Sequence, residues 1–188
     1  MYIWALMGRY YLRRLQPADF AAVYELNKHC FVEGEAYTES YFAYLYADND
    51  YHYIVLDENN NVAGYLVTVY SDDDECSDEF NAGHDIGCDP NCEKTNHKRV
   101  LAVASIGVNT KDRNRGLART LLETLISDVN NTSEMITYLV LQVRVSNATA
   151  IRLYEKVGFV KSIGKLVGYY SHPTEDGYLM YYSTENQN

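Results

Sequence analysis

Val100-Leu-Ala-Val-Ala-Ser-Ile-Gly-Val108, followed by Asn109-Thr-Lys-Asp-Arg-Asn-Arg-Gly-Leu-Ala118-Arg119, is the stretch around which the chain is organised. Its first nine residues are apolar and rich in β-branched side chains, which reads as a buried strand. A polar turn follows, and a helix continues from Leu117 to about Val129. Between strand and helix lies Arg113-x-x-Gly116-x-Ala118. A strand feeding such a turn and then a helix gathers free backbone N–H groups at one spot. The positive end of the helix dipole falls there too, so the spot suits a phosphate or pyrophosphate. Gly116 and the small Ala118 let a ligand approach the backbone closely. Alone, the motif also describes an ordinary strand–turn–helix connection, and the flanking sequence has to decide between the two.

On the amino-terminal side, Tyr10 to Leu15 alternates as a strand. Pro17 opens a helix running to about His29, with Phe20, Val23, Tyr24 and Leu26 on one face. Residues Phe31 to Tyr37 form a loop containing Gly34. A second helix runs from Thr38, its N-cap, to about Ala47. Tyr51–Leu56 and Val62–Tyr70 read as a hairpin joined by the turn Asp57-Glu-Asn-Asn-Asn61. On the carboxy-terminal side, Ile136 to Val145 is an apolar strand and Asn147 to Lys156 a helix. Gly158 is its left-handed C′ residue, and strands at Val160–Tyr170 and Tyr178–Tyr182 close the chain. The expected fold is a single mixed α/β domain over residues 1–188, with about seven strands and about four helices. Residues 71–98 interrupt it as an acidic insertion containing Cys and His.

Composition narrows the partners. A chain of 188 residues can bury a real core. A net charge of −10 argues against nucleic acid and anionic membrane surfaces as partners, and suits cationic ones. No segment reaches the ~18–20 apolar residues of a membrane span. Met1–Met7 is apolar but short, and it meets Arg9, Arg13 and Arg14 instead of a small-residue cleavage site, so no signal peptide is expected. The four cysteines (Cys30, Cys76, Cys88 and Cys92) do not make a disulfide framework, which points to a reducing, cytoplasmic setting. Cys76, His84, Cys88, Cys92 and His97 are soft ligands at irregular spacing with no Cys-x-x-Cys pair. They read as part of a polar acidic loop, and zinc is not expected there.

Arg113-Asn-Arg-Gly-Leu-Ala118 after its strand resembles the acetyl-CoA pyrophosphate motif of the GCN5-related N-acetyltransferase (GNAT) superfamily. Leu141-Gln-Val-Arg-Val-Ser-Asn-Ala-Thr-Ala-Ile-Arg-Leu-Tyr-Glu-Lys-Val-Gly-Phe159 resembles that family's second signature, with Asn147, Ala150, Tyr154 and Gly158-Phe159 at family spacing. The likeness extends from about Leu12 to Tyr182. Within the family the chain is most similar to the protein N-terminal acetyltransferases, both the ribosomal-protein-alanine type and the NatA catalytic subunit. The stretch Tyr169-Tyr-Ser-His-Pro-Thr-Glu-Asp-Gly-Tyr-Leu-Met180 resembles their tyrosine pair, acidic turn and final strand. Gly34-Glu-Ala-Tyr-Thr-Glu-Ser-Tyr-Phe42 resembles their loop between the first two helices.

The resemblance implies the GNAT fold, with the central sheet splayed between its fourth and fifth strands. It also implies acetyl-CoA as cosubstrate and a protein N-terminus as acceptor. Ile106, Gly107 and Val108 would align the pantetheine arm and polarise the thioester carbonyl. Arg113, Asn114, Arg115, Gly116, Leu117, Ala118 and Arg119 would hold the pyrophosphate, with Asn147, Ala150 and Tyr154 completing the cofactor site. Tyr154 would hydrogen-bond or protonate the departing thiolate. Tyr37, Tyr169 and Tyr170 would line the peptide channel. An auxiliary ribosome-anchoring subunit is a possible partner. The chain departs from its relatives at the base. The ribosomal-protein enzyme has a glutamate where this chain has Gln142, which can orient a water but cannot take a proton. Glu35 matches a functional loop glutamate of the NatA subunit and is the candidate base. Lysine or a small amine remains an alternative acceptor, and a non-catalytic acyl-CoA-binding protein an alternative class.

Overall fold

The computed structural model describes residues 3–31, 36–47, 51–71 and 99–184. They fall into two compact units, Met1–Val69 with Val103–Asp128, and Tyr70–Ala102 with Val129–Asn188.

The first unit holds β1 (Ile3–Met7), β2 (Tyr10–Arg14), β3 (Tyr53–Asp57), most of β4 (Val62–Ser71) and the second half of β5 (Arg99–Val108). These are hydrogen-bonded neighbours in that order, and the β1–β2, β2–β3 and β3–β4 pairs are antiparallel. Its helices are α1 (Phe20–Cys30), α2 (Glu39–Ala47) and α3 (Leu117–Asn131) as far as Asp128. A short 3₁₀ turn at Pro17–Asp19 leads into α1. There Asp19 accepts from the Gln16 N–H at 2.8 Å and takes Arg13 in a two-pronged pair at 2.6 and 2.8 Å. Burial pushes the Asp19 carboxyl up, but Arg13 and the Gln16 N–H outweigh it and hold the group below its ordinary value. Thr38 caps α2 through its hydroxyl, which accepts from the Tyr41 N–H at 3.4 Å. Val23 and Leu26 of α1 and Phe42 and Leu45 of α2 close over Ile54, Tyr65 and Val67 of the sheet. The α1 face also buries Asn27, which apolar periodicity does not anticipate. It accepts from the Tyr65 hydroxyl at 3.0 Å, and the same hydroxyl lies 2.9 Å from the Ser105 hydroxyl.

The β3–β4 turn forms as its composition predicts, with Asn60 left-handed at φ 62°. Asp57 Oδ1 accepts from the N–H groups of Asn59 and Asn61, both at 2.9 Å. Desolvation pushes this carboxyl up; the Asn61 and Asn59 donors, with Lys111, override it and bring it down to about 2.

The second unit is built on β6 (Ile136–Arg144) and β9 (Thr174–Ser183), which pair antiparallel from Tyr138↔Ser183 to Arg144↔Gly177. The first half of β5 pairs parallel with β6 and stops at Ala102↔Val140, although both strands run on. The other edge of β9 takes β7 (Val160–Lys161) and β8 (Leu166–Ser171). Residues 160–170, expected as one strand, are therefore two. Gly164, left-handed at φ 99°, turns the chain between them, and an extended strand cannot continue through that geometry. With the amino-terminal β1 this makes nine strands among the described residues, and the four α-helices are those expected. The remaining helix, α4 (Ala148–Lys156), packs beside Phe159, whose ring lies 6.1 Å from Tyr154 and 5.9 Å from Tyr182. Gly158 ends the helix at φ 101°, and a Cβ there would also press on the Tyr182 ring at 3.1 Å.

Candidate functional site

In the first unit, β5 leads through a 3₁₀ turn at Thr110–Asp112 into residues 113–116 and then α3. Two left-handed residues, Asn114 at φ 61° and Gly116 at φ 81°, flank Arg115. Such a change of hand turns successive N–H groups inward as an anion-binding nest. The opening N–H groups of α3, on Leu117, Ala118 and Arg119, lack intrahelical acceptors by the geometry of any α-helix. Nothing lies within 4 Å of where a Gly116 Cβ would stand. The glycine is therefore required by its backbone angle, and the space over it is open. Leu117 is 2% exposed, so its side chain belongs to the core and only its backbone is left to meet a ligand. Arg113 turns back, its Nε donating to the Val108 carbonyl at 3.2 Å, which ties the loop to the end of β5. Arg119 pairs along the helix with Glu123 at 2.7 Å.

β5 does not bury every side chain, as a continuous apolar run implied. It alternates, with Leu101, Val103, Ser105 and Gly107 inside and Ala102, Ala104, Ile106 and Val108 half-buried on the other face. Gly107 is demanded from below. A Cβ there would stand 2.5 Å from the Tyr65 ring and 2.8 Å from the Cys30 sulfur. Tyr37 reaches the same strand, its hydroxyl donating to the Ala104 carbonyl at 3.1 Å while its ring lies 5.1 Å from that of Tyr41. Asp112 at the head of the loop is buried, and Tyr10 of β2 donates to its Oδ1 at 2.8 Å. Nothing near Asp112 in the sequence signals that partner.

In the second unit, Asn147 caps α4, its Oδ1 accepting from the Ala150 N–H at 3.1 Å. Two turns on, Tyr154 is 7% exposed. Burial pushes its hydroxyl up to about 12, so it keeps its proton across the neutral range, the state a proton donor needs. Gln142 sits half-buried on β6 opposite Leu179. Tyr169 and Tyr170 lie on β8 with their rings nearly perpendicular, centroids 5.1 Å apart. Arg144, which no sequence argument assigned a role, holds the β8–β9 turn from the end of β6. Its signal was its place within the second signature. Glu35 and the Cys76, His84, Cys88, Cys92, His97 set lie outside the described residues. Among the described residues no His, Cys, Asp or Glu cluster has the makings of a metal site, and no helix is long and apolar enough to cross a membrane.

The Acetyltransferase (GNAT) family model matches residues 20–159. An N-alpha-acetyltransferase of Saccharolobus solfataricus is 46% identical over 80 residues, which is 42% of this chain and 45% of the relative. The likeness thus spans under half of that protein's length. Two solved structures share the fold. One is the ribosomal-protein-S18-alanine N-acetyltransferase from Escherichia coli, at 22% identity over 95% of this chain and 99% of that one, TM-score 0.69. The other is Arabidopsis thaliana NAA60 in complex with acetyl-CoA, at 19% identity over 93% and 99%, TM-score 0.74.

Proposed function

Because the chain belongs to the acetyltransferase (GNAT) family, we propose that it moves an acetyl group from acetyl-CoA to the α-amine of a protein N-terminus, by direct attack in a ternary complex. The observation that carries the cofactor half is the turn at 113–116. Left-handed Asn114 and Gly116 precede the free N–H groups of α3, and the space above Gly116 is open. The N-terminal acceptor is supported by the 46% identical stretch shared with an N-alpha-acetyltransferase.

The roles follow from the chemistry. The neutral amine attacks the thioester carbonyl, the C–S bond breaks, the amine loses a proton and the thiolate gains one. Tyr154, protonated through burial, gives its proton to the departing CoA thiolate. Backbone groups of Ile106, Gly107 and Val108 align the pantetheine and polarise the carbonyl. An α-amine titrates near about 8, well below a lysine at about 10.4, so modest help suffices to neutralise it. Glu35 gives that help, directly or through a water that Gln142 orients. Tyr37, Tyr169 and Tyr170 contact the peptide. The cytoplasm is the proposed setting, and an auxiliary subunit that anchors the enzyme to ribosomes is a proposed partner.

The test is turnover of acetyl-CoA against a panel of peptides with free and blocked α-amines, internal lysines, and spermidine. Acetylation confined to free α-amines is the expected result. Transfer to lysine or spermidine alone would move the chain to the other acceptors. Tight acetyl-CoA binding with no transfer to any amine would make it a binding protein.

A further inference from the structure

Arg144 stands at the end of β6, two residues past Gln142, and its guanidinium is committed on several sides. Nη1 donates to Glu175 Oε2 at 2.8 Å and to the Pro173 carbonyl at 3.1 Å, and Nη2 donates to the His172 carbonyl at 3.0 Å. The same group lies 4.3 Å from the centroid of the Tyr170 ring. Glu175 uses its other oxygen, Oε1, to accept the Ser146 N–H at 2.7 Å. Ser146 directly precedes Asn147, the cap of α4. The two side chains are only 15% and 19% exposed, so water screens this pair far less than the surface pairs of the chain.

Apart from Arg144, the β8–β9 hairpin is held by the Val145 N–H, which donates to the Asp176 carbonyl at 3.1 Å, and by the Gly168 N–H, which donates to Asp176 Oδ1 at 3.0 Å. β8 pairs with β9 at Leu166↔Gly177, Tyr170↔Glu175 and Ser171↔Thr174, and the register shifts between Leu166 and Tyr170. Val167, between those points, is 87% exposed. The regular ladder is therefore interrupted in the middle of β8, the part that carries Tyr169. The side-chain tie from the end of β6 to the hairpin turn is one planar cation with donors in a fixed fork, lying over the Tyr170 ring. An ammonium group cannot reproduce that set of contacts.

We infer that Arg144 and Glu175 are positioning residues for the acceptor. Together they bolt the hairpin bearing Tyr169 and Tyr170 to the corner between β6 and α4, so the tyrosine pair is set before the acceptor arrives. The inference rests on the proposed acceptor role of those tyrosines. Neither residue takes part in the chemical step. Their loss acts on acceptor binding through preorganisation, and leaves the cofactor loop in the first unit untouched.

The experiment uses the full chain with Arg144→Lys, Glu175→Ala and Glu175→Gln. Kinetics with the preferred peptide are combined with acetyl-CoA calorimetry and amide hydrogen exchange. Arg144→Lys and Glu175→Ala should raise the peptide KM by about ten- to a hundred-fold, the span set by losing one charge-assisted hydrogen bond. Their kcat and acetyl-CoA Kd should stay within about two-fold of wild type, inside the few tenths of a kcal/mol of independent sites. Amides of 166–177 should exchange faster, and those of 117–131 should not. Glu175→Gln keeps an oxygen for Ser146 or Arg144 and should recover most of the KM. A peptide KM unmoved by Arg144→Lys, or exchange unchanged in 166–177, overturns the positioning role. A wild type that acetylates no peptide sinks the N-terminal reading instead. The clamp is then judged by exchange and by the KM of whichever amine is accepted.

Discussion

Tyr154 is the proposed proton donor, and burial keeps its proton in place across the neutral range. Its hydroxyl is held at about 12 by burial, above the ordinary value near 10. Tyr154→Phe should therefore lower kcat by about a hundred-fold or more, as loss of a general acid does, with little change in acetyl-CoA Kd. The same shift bears on stability, with a definite sign. A group whose folded value is raised contributes fully below its unfolded value and loses that contribution as pH rises through the folded one. Wild type should lose stability relative to Tyr154→Phe from about pH 10 towards 12, read as denaturant midpoints of the two proteins across that range. Glu35 is the proposed base. Glu35→Gln should cut kcat by about ten- to ten-thousand-fold while acetyl-CoA still binds. Gln142→Glu should be tolerated, because it returns a carboxylate to the position where the ribosomal-protein-alanine type carries one. Full activity of Glu35→Gln from about pH 6 to 9 means that the amine arrives already neutral, and transfer then rests on positioning and Tyr154.

The strand–turn–helix from β5 to α3 is the element that carries the proposed cofactor loop. Gly116 sits at φ 81° in open space, so two substitutions there ask different questions. Gly116→Ala adds only backbone strain of about 1–2 kcal/mol. Gly116→Glu adds the same strain together with a side chain and a negative charge over the proposed pyrophosphate position. Calorimetry should show acetyl-CoA affinity falling at least about ten-fold further in Gly116→Glu than in Gly116→Ala, since one like-charge contact in a partly dry site costs more than 1.4 kcal/mol. Equal affinities in the two variants would remove the pyrophosphate from this turn. The element's outline was legible because a polar glycine-bearing turn between an apolar run and a helical pattern has few other readings. The left-handed conformation of Asn114 is not legible in the sequence, since asparagine tolerates that region without demanding it. The division of 160–170 at Gly164 was legible in principle, a glycine inside a strand pattern being a warning of a turn.

At the scale of the whole chain, residues 71–98 carry much of the acidity and little apolar content. Replacing 72–97 by a short Gly/Ser turn should leave acetyl-CoA affinity intact and change the order of preference within the peptide panel. Loss of folding, or one zinc per chain by elemental analysis of the wild type, would show that the segment is structural. The family was readable from two signatures separated in sequence, and the family model matches residues 20–159. The described residues carry two strands beyond the about seven expected. β1, Ile3-Trp-Ala-Leu-Met7, is apolar throughout and has no alternation to announce it, and β7 has two residues, too few to show one.

What the sequence determined by itself is local. The Asn147 cap, the left-handed Gly158 and the Asp57–Asn61 turn each close within a few residues, so composition and spacing specify them without the rest of the fold. The tertiary structure alone decided which distant groups meet. Tyr10 bonds Asp112 across 102 residues, Tyr37 bonds the Ala104 carbonyl across 67, and Arg144 bonds Glu175 across 31. Each of those partners had other acceptors or water open to it in the unfolded chain. Burial removes these alternatives, and strand order and register then leave one partner within reach.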